Sequence, residues 1–155
     1  SNLGMILRDL GKLKEAEIST RKSIMIKPNL AEFHNNLGAI LKEIGKLKEA
    51  EISTRKAIKI NPDYAEAYSN LANTLESLGK REEAIKYWKI SVELKPESEE
   101  SVKSLCLHLF YEKKYELALK YLIKNDSASC QSLYLGCLLS LDSEVEFHKE
   151  CEKSF

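Results

Sequence analysis

The sequence predicts an all-α protein in which helical hairpins are repeated and stacked into a solenoid. A stretch at 11–22, GKLKEAEISTRK, recurs unchanged at 45–56, and a looser copy begins at Gly79. The three prolines, Pro28, Pro62 and Pro96, keep the same spacing. Self-similarity at a fixed period of about 34 residues is typical of helical repeats, each of which buries its apolar face against the next.

Composition and charge agree with a folded helical chain and argue against two kinds of partner. The chain has 155 residues, with 43% hydrophobic residues and only six glycines and three prolines. Its 24 basic residues balance its 24 acidic residues, whereas a nucleic-acid or anionic-membrane surface needs a basic excess. No apolar run approaches the ~20 residues of a membrane span. We therefore expect neither nucleic acid nor membrane as a partner, and a cytoplasmic location.

Placing each proline at position 32 of its unit gives the boundaries of the repeats. The units are about 1–30, which is truncated at its start, then 31–64 and 65–98. A degenerate unit at 99–128 and a degenerate C-terminal cap at 129–155 follow. We expect about four to five repeats in one domain, 1–155.

Each unit is expected to form two antiparallel helices. In the second unit the apolar residues of the first helix are spaced three and four apart and so share one face: Leu37, Ile40, Leu41 and Ile44. Gly45 follows as a helix stop. The second helix ends before Pro62, because the residue preceding a proline is displaced from the α region.

Small residues also recur in phase, where two closely packed helices need them to cross. Position 8 is Gly4, Gly38, Ala72 and Cys106, and position 20 is Ala16, Ala50, Ala84 and Ala118. Cys106 is therefore expected to fill a helix crossing. The other cysteines, Cys130, Cys137 and Cys151, form no CxxC pair, so we expect reduced, buried thiols rather than disulfides.

The pattern decays after Pro96. Lys113 replaces the glycine of the turn, and residues 125–127 are expected to form a loop with a helix cap. Residues 133–139 suggest another first helix, 141–143 a turn, and the sequence from Glu144 a last helix.

These features together resemble the tetratricopeptide repeat (TPR) family. Its usual marks are Leu-Gly at positions 7 and 8, alanine at 20 and 27, and proline at 32. The matching residues are Leu3-Gly4, Leu37-Gly38, Leu71-Ala72, Ala16, Ala50, Ala84, Ala57 and the three prolines. The SNLG, NNLG and SNLA stretches are closest in style to the repeats of O-linked N-acetylglucosamine transferases. The resemblance implies a right-handed superhelix whose first helices line a concave groove.

Asparagines recur on the expected groove face. Position 6 is Asn2, Asn36 and Asn70, one in each of the first three units. A side-chain amide offers both a donor and an acceptor, so a row of amides could hold an extended peptide backbone. The resemblance implies the same role. The structural alternative is that these asparagines brace the neighbouring repeat.

The remaining groove candidates are mixed in character. Asn35, Asn73, Lys42 and Lys103 complete the predicted peptide-binding set. Position 2 is acidic in three units (Glu32, Glu66 and Glu100), which argues against a clamp for an acidic chaperone tail. Leu107, Phe110 and Tyr111 are expected either to form an apolar pocket at the end of the groove or to belong to the core.

Catalysis and metal binding have little support in the sequence. No nucleophile–base set, phosphate-binding glycine loop or HExxH motif occurs. His148 and Cys151 lie three residues apart but lack a second ligand pair, and His34 occupies a core position. We expect no enzymatic activity, no cofactor and no metal.

The predicted function is a protein–protein interaction scaffold that binds an extended peptide or protein segment in the groove. The alternative is a substrate-targeting or oligomerisation arm of a larger enzyme, such as a glycosyltransferase, sulfotransferase or oxygenase. Since Ser1 falls inside a repeat, we expect the chain to be part of a longer one. Exposed solenoid ends would also permit homo-oligomers.

Overall fold

The computed structural model describes residues 2–124 and 128–153, except for the side chains of Asn2, of 128–129 and of 143–153. Within these ranges every regular element is an α-helix. The helices are α1 (Asn2–Asp9), α2 (Leu13–Ile26), α3 (Ala31–Ile44), α4 (Leu47–Ile60), α5 (Ala65–Ser77), α6 (Arg81–Leu94), α7 (Glu99–Tyr111), α8 (Tyr115–Leu122) and α9 (Ala128–Lys153). The all-α prediction is confirmed.

The chain divides into two compact units, Ser1–Leu94 and Lys95–Phe155. In the first unit α1 pairs with α2, α3 with α4, and α5 with α6. In addition, α2 packs against α3 and α4 against α5, and α3 contacts both α1 and α5. The first helices therefore form a continuous layer, as expected for stacked hairpins.

Glycines make the turns inside the hairpins of the first unit. Gly11, Gly45 and Gly79 have φ values of 72°, 89° and 76°, a left-handed conformation that glycine adopts without a Cβ clash. At the equivalent place in the next hairpin Lys113 has a φ of 57°. An L-residue in this region costs roughly 1–2 kcal/mol. The turn geometry is thus kept even where the glycine is lost.

The predicted small-residue crossings are buried. Ala16, Ala50, Ala84 and Ala118 are all fully inaccessible. A Cβ added at Gly38 would meet the hydroxyl of Thr54, which donates to Ala50 O at 2.8 Å. One repeat later Ala72 and Trp88 stand in place of Gly38 and Thr54, and both are fully buried. Alanine at position 8 therefore occurs in the repeat that has the larger residue, Trp88, in place of Thr54.

The second unit contains α7, α8 and α9, and its described cysteines are buried thiols. Cys106, Cys130 and Cys137 are free and fully inaccessible. The thiol of Cys106 donates to Ala118 O at 3.5 Å, which places it at the predicted crossing. Burial raises the pKa of Cys106 to about 12. The side chain of Cys151 lies outside the described residues.

The predicted C-terminal hairpin is wrong, because α9 continues through residues 141–143 without a turn. The sequence after Gly136 contains neither glycine nor proline. Aspartate and serine each cost a helix interior no more than about 0.7 kcal/mol relative to alanine, so the helix can pass through Asp142 and Ser143. The loop and cap expected at 125–127 lie outside the described residues.

Candidate functional site

The candidate site lies on the first helices of the first unit, where two adjacent asparagines of α3 have different environments. Asn35 is fully buried and Asn36 is half-buried. Successive residues of an α-helix are rotated by about 100°, so neighbours in sequence point in different directions. Asn36 makes no side-chain hydrogen bond to a residue that the structure describes.

Asn35 is the centre of a hydrogen-bond network between α3 and α5. Asn70 Nδ2 donates to Asn35 Oδ1 at 2.9 Å. Asn35 Nδ2 in turn lies 3.4 Å from both the Tyr64 hydroxyl and Glu66 Oε1. Burial, together with the charge of Glu66, raises the pKa of Tyr64 to about 12. The network therefore fixes the orientation of both amides and joins two consecutive repeats.

The amide of Asn73 is oriented by the indole of Trp88. Trp88 Nε1 donates to Asn73 Oδ1 at 3.0 Å. Asn70 and Asn73 are three residues apart on α5 and so lie on one face. Within the described part of the chain, Asn70 Oδ1 and Asn73 Nδ2 have no further partner. One acceptor and one donor thus remain on this face of α5.

The predicted groove positions of the first unit carry more acidic than basic groups. Arg8 Nε donates to Glu43 Oε1 at 2.7 Å and links α1 to α3. Lys42 is half-buried on α3. The carboxylates at groove positions are all exposed: Asp9, Glu32, Glu43, Glu66 and Glu76.

The remaining predicted site residues lie outside the described side chains or in the second unit. The side chain of Asn2 lies outside the described residues. Lys103 is exposed on α7 and belongs to the second unit. In that unit the ring centroid of Phe110 lies 5.3 Å from that of Tyr115. Tyr111 is 69% exposed, so Phe110 and Tyr111 do not belong to one buried cluster.

The second helices carry a repeated ion-pair network that the sequence did not reveal in full. Glu17 accepts from Arg21 of α2 and from Lys46, which precedes α4, both at 2.9 Å. Arg21 also reaches Glu49 of α4 at 2.8 Å. Of these contacts, only the pair within α2, Glu17 with Arg21, has the i,i+4 spacing by which a sequence indicates neighbours on one helix.

The same network recurs in the next repeat. Glu51 accepts from Arg55 at 2.8 Å and from Lys80 at 3.0 Å, and Arg55 reaches Glu83 at 3.1 Å. The hydrogen bond from Lys46 is the main reason that the pKa of Glu17 is lowered. For Glu51 burial opposes the shift, but Lys80 and Arg55 still lower the pKa. The four charged residues of the first network, Glu17, Arg21, Lys46 and Glu49, all recur 34 residues later. This recurrence is the feature of the sequence from which the network could have been predicted.

The described residues contain no group of three histidine, cysteine or acidic side chains placed to hold a metal ion. None of the described helices combines the length and apolarity that crossing a membrane requires. His34 is buried, and its Nε2 lies 2.8 Å from Pro28 O.

Comparison with known sequences identifies the repeats. Three family models, each described as tetratricopeptide repeat, match residues 1–30, 31–64 and 54–86. Curated protein sequences gave no match.

Solved structures share the fold. A crystal structure of MamA has a TM-score of 0.68 at 21% identity and covers 94% of this chain and 78% of its own. The first TPR of Spaghetti (RPAP3), bound to the HSP90 peptide SRMEEVD, has a TM-score of 0.68 at 25% identity, with coverages of 72% and 88%. A mutant O-GlcNAc transferase of Thermobaculum terrenum has a TM-score of 0.69 at 24% identity. The match covers 76% of this chain and 24% of the transferase chain.

The helical hairpins, the turn glycines, the small-residue crossings and the three matches in series agree. The chain belongs to the tetratricopeptide repeat family.

Proposed function

We propose that the first unit binds an extended segment of a partner protein along the groove face of α1, α3 and α5. Repeats of this family support a protein-interaction scaffold, and the solved RPAP3 TPR is bound to a peptide. The observation that carries the proposal is the pre-oriented pair Asn70 and Asn73 on one face of α5.

The pair complements a peptide group. Asn70 Oδ1 can accept from a backbone N–H, and Asn73 Nδ2 can donate to a backbone C=O. Because the Asn35 and Trp88 contacts already fix the two amides, little side-chain entropy is lost when a ligand binds. Asn36 supplies a third amide one repeat earlier.

These amides cannot supply the whole affinity. Each hydrogen bond contributes roughly 0.5–1.5 kcal/mol net, whereas a micromolar complex needs about 8 kcal/mol. Ligand side chains must provide the remainder, so the amides set register and the ligand sequence sets affinity.

The charges of the groove select the ligand. Five exposed carboxylates and two cations, Arg8 and Lys42, occupy its groove positions, and Arg8 is already paired with Glu43. An acidic segment would be repelled, whereas a neutral or basic segment would be attracted, with a salt-dependent affinity. An acidic peptide such as SRMEEVD is therefore not the ligand class that we propose.

The test is an array of extended peptides of equal length whose net charge is varied while the apolar residues are kept. The wild-type chain should bind the neutral and basic peptides. Asn73→Asp keeps the acceptor for Trp88 and removes the free donor, so it should weaken binding of the neutral peptides, which the added charge does not attract. Asn29→Asp adds the same charge at an exposed asparagine in the loop before α3 and should not. Equal effects of the two variants, or a preference for acidic peptides, would refute the proposal.

A second candidate is the targeting arm of a larger enzyme, favoured by the resemblance of SNLG, NNLG and SNLA to transferase repeats. It is tested by sequencing the gene on both sides of residues 1–155 and assaying the full product for glycosyl transfer. A full product without a catalytic domain would exclude it.

A further inference from the structure

An apolar cleft opens between α2, α3 and α4 in the first unit. Its volume is about 450 Å³. Ile24, Leu37 and Leu41 form its floor, Met25 and Ile52 its walls, and Arg21 part of its rim. Met25 is 83% exposed and Ile52 is 70% exposed. On α3 the cleft residues lie roughly opposite Asn36, so the cleft is separate from the proposed groove.

The chain shows what fills the corresponding positions one repeat later. Tyr68 and Tyr87 stand there in place of His34 and Ser53. Their ring centroids are 6.2 Å apart. Arg55 lies over the Tyr87 ring at 5.3 Å and donates from Nη1 to its hydroxyl at 2.7 Å. A phenol held by arginine therefore occupies this place between α4 and α6.

The first cleft has the same arginine but no phenol. His34 is turned to Pro28 O, and the Ser53 hydroxyl donates to His34 O at 2.9 Å. Arg21 makes the carboxylate contacts that Arg55 makes. Its Nη1, however, has no partner among the described residues. Both the space and the donor for a phenol are thus present.

We propose that this cleft binds a tyrosine side chain of a partner protein. The ring would lie against Leu37 and Ile24, and the phenolic oxygen would accept from Arg21 Nη1. The template for this arrangement is the chain's own Arg55–Tyr87 pair. The cation favours an electron-rich ring, because a guanidinium is attracted to its face. The inference does not depend on the groove, since the two surfaces share no residue.

The test uses 4-methylphenol, the analogue of the tyrosine side chain, with NMR of isoleucine and leucine methyl groups. We expect saturable shifts at Ile24, Leu37 and Leu41 with a Kd on the order of 1 mM, as for a small fragment. Toluene lacks the hydroxyl and should bind roughly three- to tenfold more weakly.

Variants taken from the chain's own next repeat provide the controls. Ser53→Tyr places a phenol in the cleft and should abolish the shifts. Ile52→Lys copies Lys86, the exposed residue at the same position of the next repeat, and should reduce binding without affecting folding. Tyr87→Ser empties the second place and should create a second set of shifts, at Leu71 and Leu75.

Several results would overturn the proposal. These are an absence of shifts at the three floor methyls, shifts that persist in both Ser53→Tyr and Ile52→Lys, or toluene binding as tightly as 4-methylphenol. Shifts at the same methyls that grow with protein concentration in the absence of a probe would instead assign the cleft to a second copy of the chain. If Ser53→Tyr does not fold, Ile52→Lys decides between the outcomes.

Discussion

The contact between Asn35 and Asn70 leads to a quantitative prediction about how the repeats are coupled. Asn35→Ala removes the acceptor of Asn70 and leaves a small cavity at a fully buried position. Asn70→Ala leaves Asn35 Oδ1 buried without this donor. Truncating one partner of a buried hydrogen bond costs about 1–3 kcal/mol, because the other polar group stays desolvated.

The magnitudes follow from the contacts. The 2.9 Å bond to Asn70 is well formed, whereas the two 3.4 Å contacts of Asn35 are weak. We therefore expect about 2 kcal/mol for Asn35→Ala and about 1–2 kcal/mol for Asn70→Ala. The double variant should cost about 1 kcal/mol less than the sum of the two single costs, because both single substitutions break the same hydrogen bond.

Trp88 makes the measurement specific to the first unit. It is the only tryptophan, it is fully buried, and it lies on α6. Its fluorescence during urea unfolding gives the free energy of this unit in each variant. Asn36→Ala is the matched control, because Asn36 is half-buried and bonds to no described side chain. It should change stability by less than about 0.5 kcal/mol.

A coupling energy near zero would refute the reasoning, as would an Asn36→Ala cost equal to that of Asn35→Ala. Either result would mean that the amide contact does not link α3 to α5. The groove amides would then not be pre-oriented, and the support for the proposed function would be lost.

Three further predictions concern packing, acid stability and thiol reactivity. Gly38→Ala should destabilise by about 1 kcal/mol, because overpacking against Thr54 exceeds the gain in helix propensity. In a Thr54→Ala background the cost measured by thermal unfolding should be smaller, because the clash with the Thr54 hydroxyl is gone while the contact with Ala50 O, at 3.3 Å, remains. Because the pKa values of Glu17 and Glu51 are lowered in the folded chain, their ionised forms stabilise the fold at pH values above their ordinary pKa of 4.5, and this contribution is lost as the pH falls below 4.5. The unfolding midpoint should therefore drop below pH 4.5, and it should drop less in a Glu17→Gln, Glu51→Gln variant. Cys106 should resist alkylation in the folded chain, because burial excludes reagents and raises its pKa to about 12.

Each of these predictions has a result that contradicts it. A stabilising effect of Gly38→Ala in both backgrounds would mean that the Thr54 hydroxyl moves aside at no cost. An acid midpoint that is unchanged by the glutamine variants would show that the two ion-pair networks do not stabilise the fold. Alkylation of Cys106 at the rate of the unfolded chain would show that α7 and α8 open readily.

The repeat architecture could be predicted from the sequence because its determinants are local. The repeat period, the apolar spacing in α3 and the glycine at 45 act within one hairpin. Backbone sterics and helix periodicity therefore determine the hairpins and the crossings. The exception was the C-terminal cap, where weak turn residues at 142–143 did not interrupt α9.

The candidate site could be predicted only in part. The assignment of the position-6 asparagines to a peptide-binding groove stays a prediction, whereas their neighbour Asn35, assigned to the same groove, is fully buried. The direction of a side chain on a helix depends on the helices packed around it. A row of identical residues in sequence gives no information about which amide is used to join the repeats.

The amino-acid sequence is enough to specify the hairpin, its length, its turns and the small residues where helices cross, because these depend on contacts within a single repeat. The contacts between one repeat and the next are visible only in the folded structure. It placed Asn70 against Asn35, joined Glu17 to Lys46, and left a cleft where His34 and Ser53 replace two tyrosines. Such contacts join residues of neighbouring repeats, and their geometry depends on the stacking of whole helices rather than on local propensity.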